Sequence, residues 1–373
     1  MKAAYVDPSL NVELRSIPIP TPQKYILRSP SAIILGGHVD SSGEILIKNV
    51  CAAMNPKDFK APLWFGNTVI EGSDVSGIVH SLGPDVTEFA VGDRVGAYLR
   101  IGKDGGYAEY SLCPAYTAFK IPENVSFEEA STVGLAGITA ALGLFAEDRL
   151  ALPSPFNPLK EETIAIVIYG ASSSFGAYAL QLAKLAGLFT IAVAGKGLNY
   201  VESLQRADIL IDYRNGEENT IALIKKAITD KFGPGAKLEY AYDAVSENGS
   251  MQLLAKAMEN SGKIAIVLPR DPEQKLRQVS HDTDQTQFAD IPESVVTVES
   301  SVPSAHGKDA EFARKYFILF GRLMEEGMFK PNRPRVLSVG LLGVKEGLQL
   351  LKNGKVSAEK LVVRIAETPG LSD

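Results

Sequence analysis

Apolar and polar positions along this chain follow two rhythms, with the change near residue 163. Upstream, short β-branched and aromatic runs are punctuated by Gly, Pro, Asn and Asp, the pattern of a small β-rich domain. Strands are expected at Met1–Val6, Glu44–Ala53, Asp74–Ser81, Arg94–Tyr98, Tyr107–Leu112 and Thr117–Ile121, then a helix opening at Ser126–Ala130 and running toward Phe145. Asp148–Glu162 carries three prolines and few periodic apolars, and reads as a surface connection. Downstream, apolar runs recur at Ile164–Tyr169, Phe189–Ala194, Asp208–Asp212, Leu238–Val245 and Lys263–Leu268. Helical periodicity fills the gaps around Ser174–Ala186, Asn199–Gln205, Asn219–Lys231 and Gly249–Asn260. Such alternation predicts βαβ units and a parallel sheet, whose ligands gather at the carboxyl ends of the strands. A helix is expected over Asp309–Glu326, and Val339–Ile365 reads as helix, turn and closing strand. Lys24–Ser42 fits neither rhythm; it is a long surface loop or extra sequence such as an unspliced intron.

The stretch 163–187, TIAIVIYGASSSFGAYALQLAKLAG, orders strand, small-residue turn and helix. That order brings bare backbone N–H groups and the positive end of a helix toward a pyrophosphate. Ser172, Ser173 and Ser174 break the usual three-glycine spacing, so the turn alone reads as a phosphate cradle or as a packing turn.

Composition narrows the class. The 373 residues suffice for two domains. A net charge of -6 carries no basic excess to recruit nucleic acid or anionic lipid. No apolar run reaches the ~18–20 residues that cross a bilayer, and the opening MKAAYVDPSLNVELR lacks a signal-peptide pattern. Cys51 and Cys113 suggest no disulfide framework and read as buried small hydrophobes. A soluble cytoplasmic protein is expected.

Several motifs together carry a family resemblance. GDRVGAY (Gly92–Tyr98), GGYAEY (Gly105–Tyr110), the turn after Tyr169 and the ending EKLVVRI resemble the medium-chain dehydrogenase/reductase superfamily. MNPKDFK (Met54–Lys60), AGITAA (Ala136–Ala141), the LPSPFNP linker and GKVSAEKLVVRI are similar to the fungal zinc-independent enoyl reductases that act in trans with polyketide synthases, of the lovastatin enoyl reductase type. Quinone oxidoreductases and fungal enone or aldehyde reductases are more distantly similar. The resemblance implies an α/β protein: a GroES-like β-barrel substrate domain over 1–150, completed by 305–373, and a Rossmann domain over 160–300. It places the active site in the cleft between them.

Zinc members of that superfamily bind metal through Cys, His and a further Cys or acidic ligand. Here the first ligand position is Asn55, and the Gly-His-Glu signature reads Gly72-Ser73-Asp74. Two cysteines and four scattered histidines (His38, His80, His281, His306) rebuild no zinc set at recognisable spacing. No metal is expected, which leaves hydride addition to an activated, conjugated acceptor as the accessible chemistry.

For the cofactor, NAD-specific Rossmann units carry an acidic residue at the end of the second strand. Here Phe189–Ala194 is followed by Gly195 and Lys196, and an ammonium there favours a 2′-phosphate. The expected cofactor is therefore NADPH; the alternative for Lys196 is a solvated loop lysine. The resemblance adds Tyr213 as the tyrosine flanking the adenosine phosphate. Ser172–Ser174 offer hydroxyl donors to a pyrophosphate or cap the following helix. The expected cofactor set is Gly170, Ser172, Ser173, Ser174, Phe175, Gly176, Lys196, Asn199, Tyr213 and Leu268, with Asp243 structural.

At the reacting end, hydride addition to an enoyl group puts charge on the carbonyl oxygen, which calls for a donor there and a proton for the α-carbon. By resemblance Lys60 is that stabiliser or proton donor, and Thr139 binds the carboxamide or acceptor oxygen. Asn55 hydrogen-bonds substrate or water. The alternatives are a surface lysine for Lys60 and a core hydroxyl for Thr139. Trp64 and Phe65 line the acceptor pocket or form an exposed tip. The expected activity is NADPH-dependent reduction of an α,β-unsaturated carbonyl, with a carrier-protein-bound polyketide enoyl thioester as substrate and a polyketide synthase as partner. The alternatives are a quinone, enone or aldehyde reductase on free small molecules, and a non-catalytic NADPH-binding protein. The strand-like Ser294–Glu299 leaves monomer and homodimer both open.

Overall fold

The two rhythms become two kinds of sheet. The computed structural model describes residues 1–23, 43–100, 105–268 and 290–371, so Lys24–Ser42, His38 and His281 lie outside the described residues. By contacts the chain divides into one unit of Met1–Ile138 with Pro303–Asp373 and another of Thr139–Val302.

The first unit is built on strands. In chain order they are β1 (Lys2–Val6), β2 (Val12–Ser16), β3 (Glu44–Ala53), β4 (Val69–Ile70), β5 (Asp74–Leu82), β6 (Arg94–Tyr98), β7 (Tyr110–Pro114) and β8 (Ala118–Lys120). Helix α1 (Pro56–Phe65) follows β3, and α2 (Phe127–Ala130) and α3 (Gly134–Phe145) follow β8. These segments are short, and β3, β5, β6 and β7 bury consecutive residues, on both faces. Ile45, Ile47, Val75, Val79, Val95 and Leu99 share the resulting core.

The second unit alternates strand and helix: β9 (Ala165–Tyr169), α4 (Ser174–Leu185), β10 (Phe189–Ala194), α5 (Leu198–Leu204), β11 (Ile209–Asp212), α6 (Glu217–Phe232), β12 (Tyr240–Asp243), α7 (Ser250–Ala257), β13 (Gly262–Ile266) and β14 (Val295–Glu299). Its six strands run parallel in the order β11-β10-β9-β12-β13-β14. That is the doubly wound Rossmann order, with its switch point between β9 and β12. The central strands read as continuous apolar runs because helices cover both faces. All six residues of β10 are buried.

The chain then returns to the first unit through α8 (Ala310–Glu325), β15 (Pro334–Leu337), α9 (Val344–Lys352) and β16 (Lys360–Arg364). Strand β16 inserts between β15 and β3, giving the order β15-β16-β3-β5-β6-β8, with β7 on β3. Helix α8 buries Tyr316, Phe317, Phe320 and Leu323 at helical spacing. Each such side chain contributes roughly 1.5–3 kcal/mol over exposure.

Among the elements that differ from the sequence expectation, three do so for a clear local reason. Strand β2 is mostly polar; it is held by its pairing with β1, and only Val12 and Leu14, half-buried, pack toward the core. Helix α1 is masked by Pro56 and Pro62: proline is pre-set for the first helical position but disfavoured inside. The strand expected at Tyr107 begins at Tyr110, and Tyr107 bonds β1 only through its carbonyl, which accepts from Ala4 N–H at 2.8 Å. Cys51 and Cys113 are both buried and form no disulfide among the described residues, and burial pushes the Cys51 thiol up to about 12. Among the described residues no helix is long and apolar enough to cross a membrane.

Candidate functional site

In the first unit, the site begins at the first turn of α1. Asn55 is extended (φ -129°, ψ 154°) and stands as N-cap, with Pro56 at the first helical position. Its N–H donates to Asp58 Oδ2 at 2.8 Å, and the Tyr107 hydroxyl donates to the same oxygen at 2.7 Å. The MNPKDFK and GGYAEY motifs therefore meet at one buried carboxylate. Lys57 bridges Asp58 at 2.7 Å and Glu71 at 2.6 Å. Burial opposes its charge, yet the two carboxylates outweigh this and hold the ammonium above its ordinary range. Burial likewise raises Glu71, against Lys57. Lys60, one turn onward, is half-buried, with its ammonium 5.9 Å from the centre of the Trp64 ring. Trp64 is half-buried and Phe65 exposed.

The amide of Asn55 is committed inside the protein. Its Nδ2 donates to Asp74 Oδ2 at 2.9 Å, and its Oδ1 accepts from Lys360 Nζ at 3.0 Å. Lys360 also lies 2.6 Å from Asp74 Oδ2 and 3.5 Å from the Thr132 carbonyl oxygen. Lys360 and Asn55 are 2 % exposed and Asp74 0 %. By the resemblance Asn55 stands at the first zinc-ligand position, and Asp74 follows Ser73, which replaces the signature histidine. An amide and a carboxylate already held by an ammonium do not form a zinc donor set of sulfur and imidazole. Among the described residues no group of His, Cys, Asp and Glu is arranged to hold a metal ion. Sequence reasoning missed Lys360; its signal was a lysine opening an otherwise apolar closing strand.

In the second unit, the carboxyl edge of the parallel sheet carries most of the expected cofactor residues. Gly170 turns the chain out of β9 at φ +74°, where other residues are strained. A Cβ on Gly176 would lie 2.3 Å from the Gly170 carbonyl oxygen, so only glycine lets the start of α4 approach its own strand this closely. Ser173 caps that helix, its Oγ accepting from Gly176 N–H at 3.1 Å. Ser172, Ser174 and Phe175 are half-buried around the same turn. This close, amide-lined approach fits a pyrophosphate.

Beyond β10, Gly195 packs against the Tyr213 ring, and Lys196 is exposed, with no ion pair among the described residues. Asn199 is exposed in the first turn of α5. Tyr213 stacks on Tyr169 with ring centres 5.9 Å apart. The neighbouring Arg214 is engaged by Asp212, at 2.6 Å from Nη2 to Oδ2. Leu268 is half-buried just past β13. Thr139 is buried within α3.

Asp243 ends β12 and is fully buried. It accepts from Val245 N–H at 3.0 Å, Ser246 N–H at 2.9 Å and Ser250 Oγ at 2.5 Å. Burial pushes its carboxyl up to about 6 against those donors. The turn it shapes brings Val245 against Gly170, where a Cβ would meet Val245 Cγ2 at 2.5 Å.

Comparison with known proteins adds three findings. The alcohol dehydrogenase GroES-like domain matches residues 41–123. The chain is 36% identical over 324 residues to the trans-enoyl reductase fsr4 of Gibberella fujikuroi, covering 84% of this chain and 89% of that one. It is 31% identical over 349 residues to the trans-enoyl reductase resD of Aspergillus sclerotiorum, covering 87% and 93%. Among solved structures, an alcohol dehydrogenase superfamily protein from Novosphingobium aromaticivorans matches with TM-score 0.72 at 20% identity, covering 98% of this chain and 99% of the other. The quinone oxidoreductase from Coxiella burnetii matches with TM-score 0.66 at 22% identity, covering 98% and 99%.

Proposed function

The chain belongs to the trans-enoyl reductases of the medium-chain dehydrogenase/reductase superfamily, and on that premise we propose that it reduces a polyketide enoyl thioester with NADPH. The observation that carries the reading is the 36% identity, over 84% of the chain, to a protein named a trans-enoyl reductase. The substrate arrives on the carrier protein of a polyketide synthase, the chain working in the cytoplasm as a monomer or homodimer.

When bound, the cofactor supplies a hydride to the β-carbon of the acceptor. The protein's part is to hold both reactants and to manage the resulting charge. Backbone N–H groups of the Gly170–Gly176 turn, with Ser172, Ser173, Ser174 and Phe175 around them, hold the pyrophosphate. Lys196, with Asn199 and Tyr213 nearby, receives the 2′-phosphate: a cation attracts it where a carboxylate would repel it. Leu268 borders the same edge. As the carbonyl oxygen gains charge, the Lys60 ammonium stabilises it or passes a proton toward the α-carbon. Thr139 hydrogen-bonds the carboxamide or the acceptor oxygen. Asn55, engaged at both ends of its amide, supports α1 and needs no metal beside it. The reaction is zinc-independent.

The test is an NADPH-oxidation screen of the purified chain against enoyl thioesters, quinones and aldehydes, with product identification. Saturated thioester as the preferred product supports the reading. Quinone or aldehyde reduction without enoyl reduction replaces it, and tight NADPH binding without turnover on any acceptor makes the chain a nucleotide-binding protein.

A further inference from the structure

We propose that Lys360 is a positioning residue whose buried ammonium, with Asp74 and Asn55, sets the starts of the two helices that carry Lys60 and Thr139. This deepens the reductase reading above and rests on it for the effect on turnover.

The geometry is closed. A lysine ammonium has three protons to donate. Those of Lys360 meet Asn55 Oδ1 at 3.0 Å, Asp74 Oδ2 at 2.6 Å and the Thr132 carbonyl oxygen at 3.5 Å. Asp74 uses its remaining oxygen on α3: Oδ1 accepts from Leu135 N–H at 2.5 Å. A carboxylate at that helix start also meets the positive end of the backbone dipole. The contact is close enough that a Cβ on Gly134 would lie 2.6 Å from the same oxygen. Asn55, the N-cap of α1, completes the link by donating to Asp74.

Three segments distant in sequence thus meet at one buried charge pair: the β3–α1 junction, the first residue of β5, and the first residue of β16. Lys60 lies on α1 and Thr139 on α3, so displacing Asp74 shifts the origin of both helices. Removing the cation leaves a buried carboxylate with no opposite charge beside it, which is costly.

The test compares the full-length wild type with Lys360→Met and with the double variant Asp74→Asn/Lys360→Met. The double variant replaces the ion pair by neutral side chains of nearly the same size, and it decides the matter if the single variant does not fold. The readouts are thermal unfolding, NADPH titration, turnover on an enoyl N-acetylcysteamine thioester, and hydrogen–deuterium exchange resolved by peptide. The expected double variant folds, binds NADPH with unchanged Kd, and loses roughly 10–100-fold in kcat. Its exchange rises in peptides covering α1 and the first turns of α3, not in those covering β9–β13. A folded double variant with wild-type kcat overturns the proposal, and so does unchanged exchange at α1 and α3. The exchange readout needs no activity, so an inactive wild type would sink the reductase reading while the positioning role is still decided.

Discussion

Asp74 and Lys360 form a buried ion pair at 2.6 Å across 286 residues of sequence. The pair is a liability as much as a support: its Coulomb energy is set against the desolvation of both charges, and removing one partner strands the other.

Lys360→Met leaves the Asp74 carboxylate buried without its cation. The expected loss is about 3–5 kcal/mol of stability, with the neutral double variant recovering most of it. Urea unfolding of the three proteins checks this; a single variant as stable as the wild type would show that water reaches Asp74.

Lys60→Ala removes the ammonium proposed for the enolate oxygen. We expect kcat to fall about 100-fold, with the NADPH dissociation constant unchanged, because the residue lies outside the nucleotide-holding turn. Stopped-flow single turnovers at saturating NADPH measure the chemical step directly, and full turnover would remove Lys60 from the mechanism.

Lys196→Asp exchanges attraction for repulsion at the proposed 2′-phosphate position. The ratio of kcat/KM for NADPH over NADH should drop by about tenfold or more at low salt, and less at high salt, because an exposed charge is screened. A ratio that does not move would make Lys196 an ordinary surface lysine.

Asp243 titrates against stability with a sign set by its burial. Its carboxyl, pushed up to about 6, is protonated in the folded chain at pH values where the unfolded chain has already lost that proton. The stabilising contribution is therefore complete below about pH 4 and is lost as pH rises to about 6. Over that window the wild type should lose about 3 kcal/mol relative to Asp243→Asn. Urea midpoints at pH 4 and pH 7 for both proteins decide it; parallel profiles would mean the carboxylate stays ionised in the folded chain.

What the sequence disclosed and what it hid follow from distance along the chain. The turn from Gly170 to Gly176 was legible because strand, turn and helix are adjacent, and Gly176 is needed by a contact only six residues back. The parallel sheet was legible because strands buried on both faces lose their alternation. The Asn55–Asp74–Lys360 cluster had no such trace. Asn55 and Asp74 stood out singly, through resemblance to the superfamily's zinc signature, but only the insertion of β16 beside β3 brings Lys360 to them. Helix α1 hid for a different reason: its two prolines read as breakers, while the structure uses Pro56 to start the helix and Gly66, at φ +65°, to end it.

The division of the chain also orders its birth. Residues 139–302 form a contiguous unit, whereas their companion needs both 1–138 and 303–373. A ribosome delivers the chain from its first residue, and contiguous units fold as they emerge. The middle can therefore settle while the earlier part still waits for a strand that has not been made. Until residue 360 leaves the exit tunnel, Asp74 lacks the Lys360 ammonium, and the cap of the first helix lacks the donor to Asn55 Oδ1. Termination between residues 303 and 359 would leave a finished middle unit joined to an incomplete first one, a natural target for chaperones and proteases.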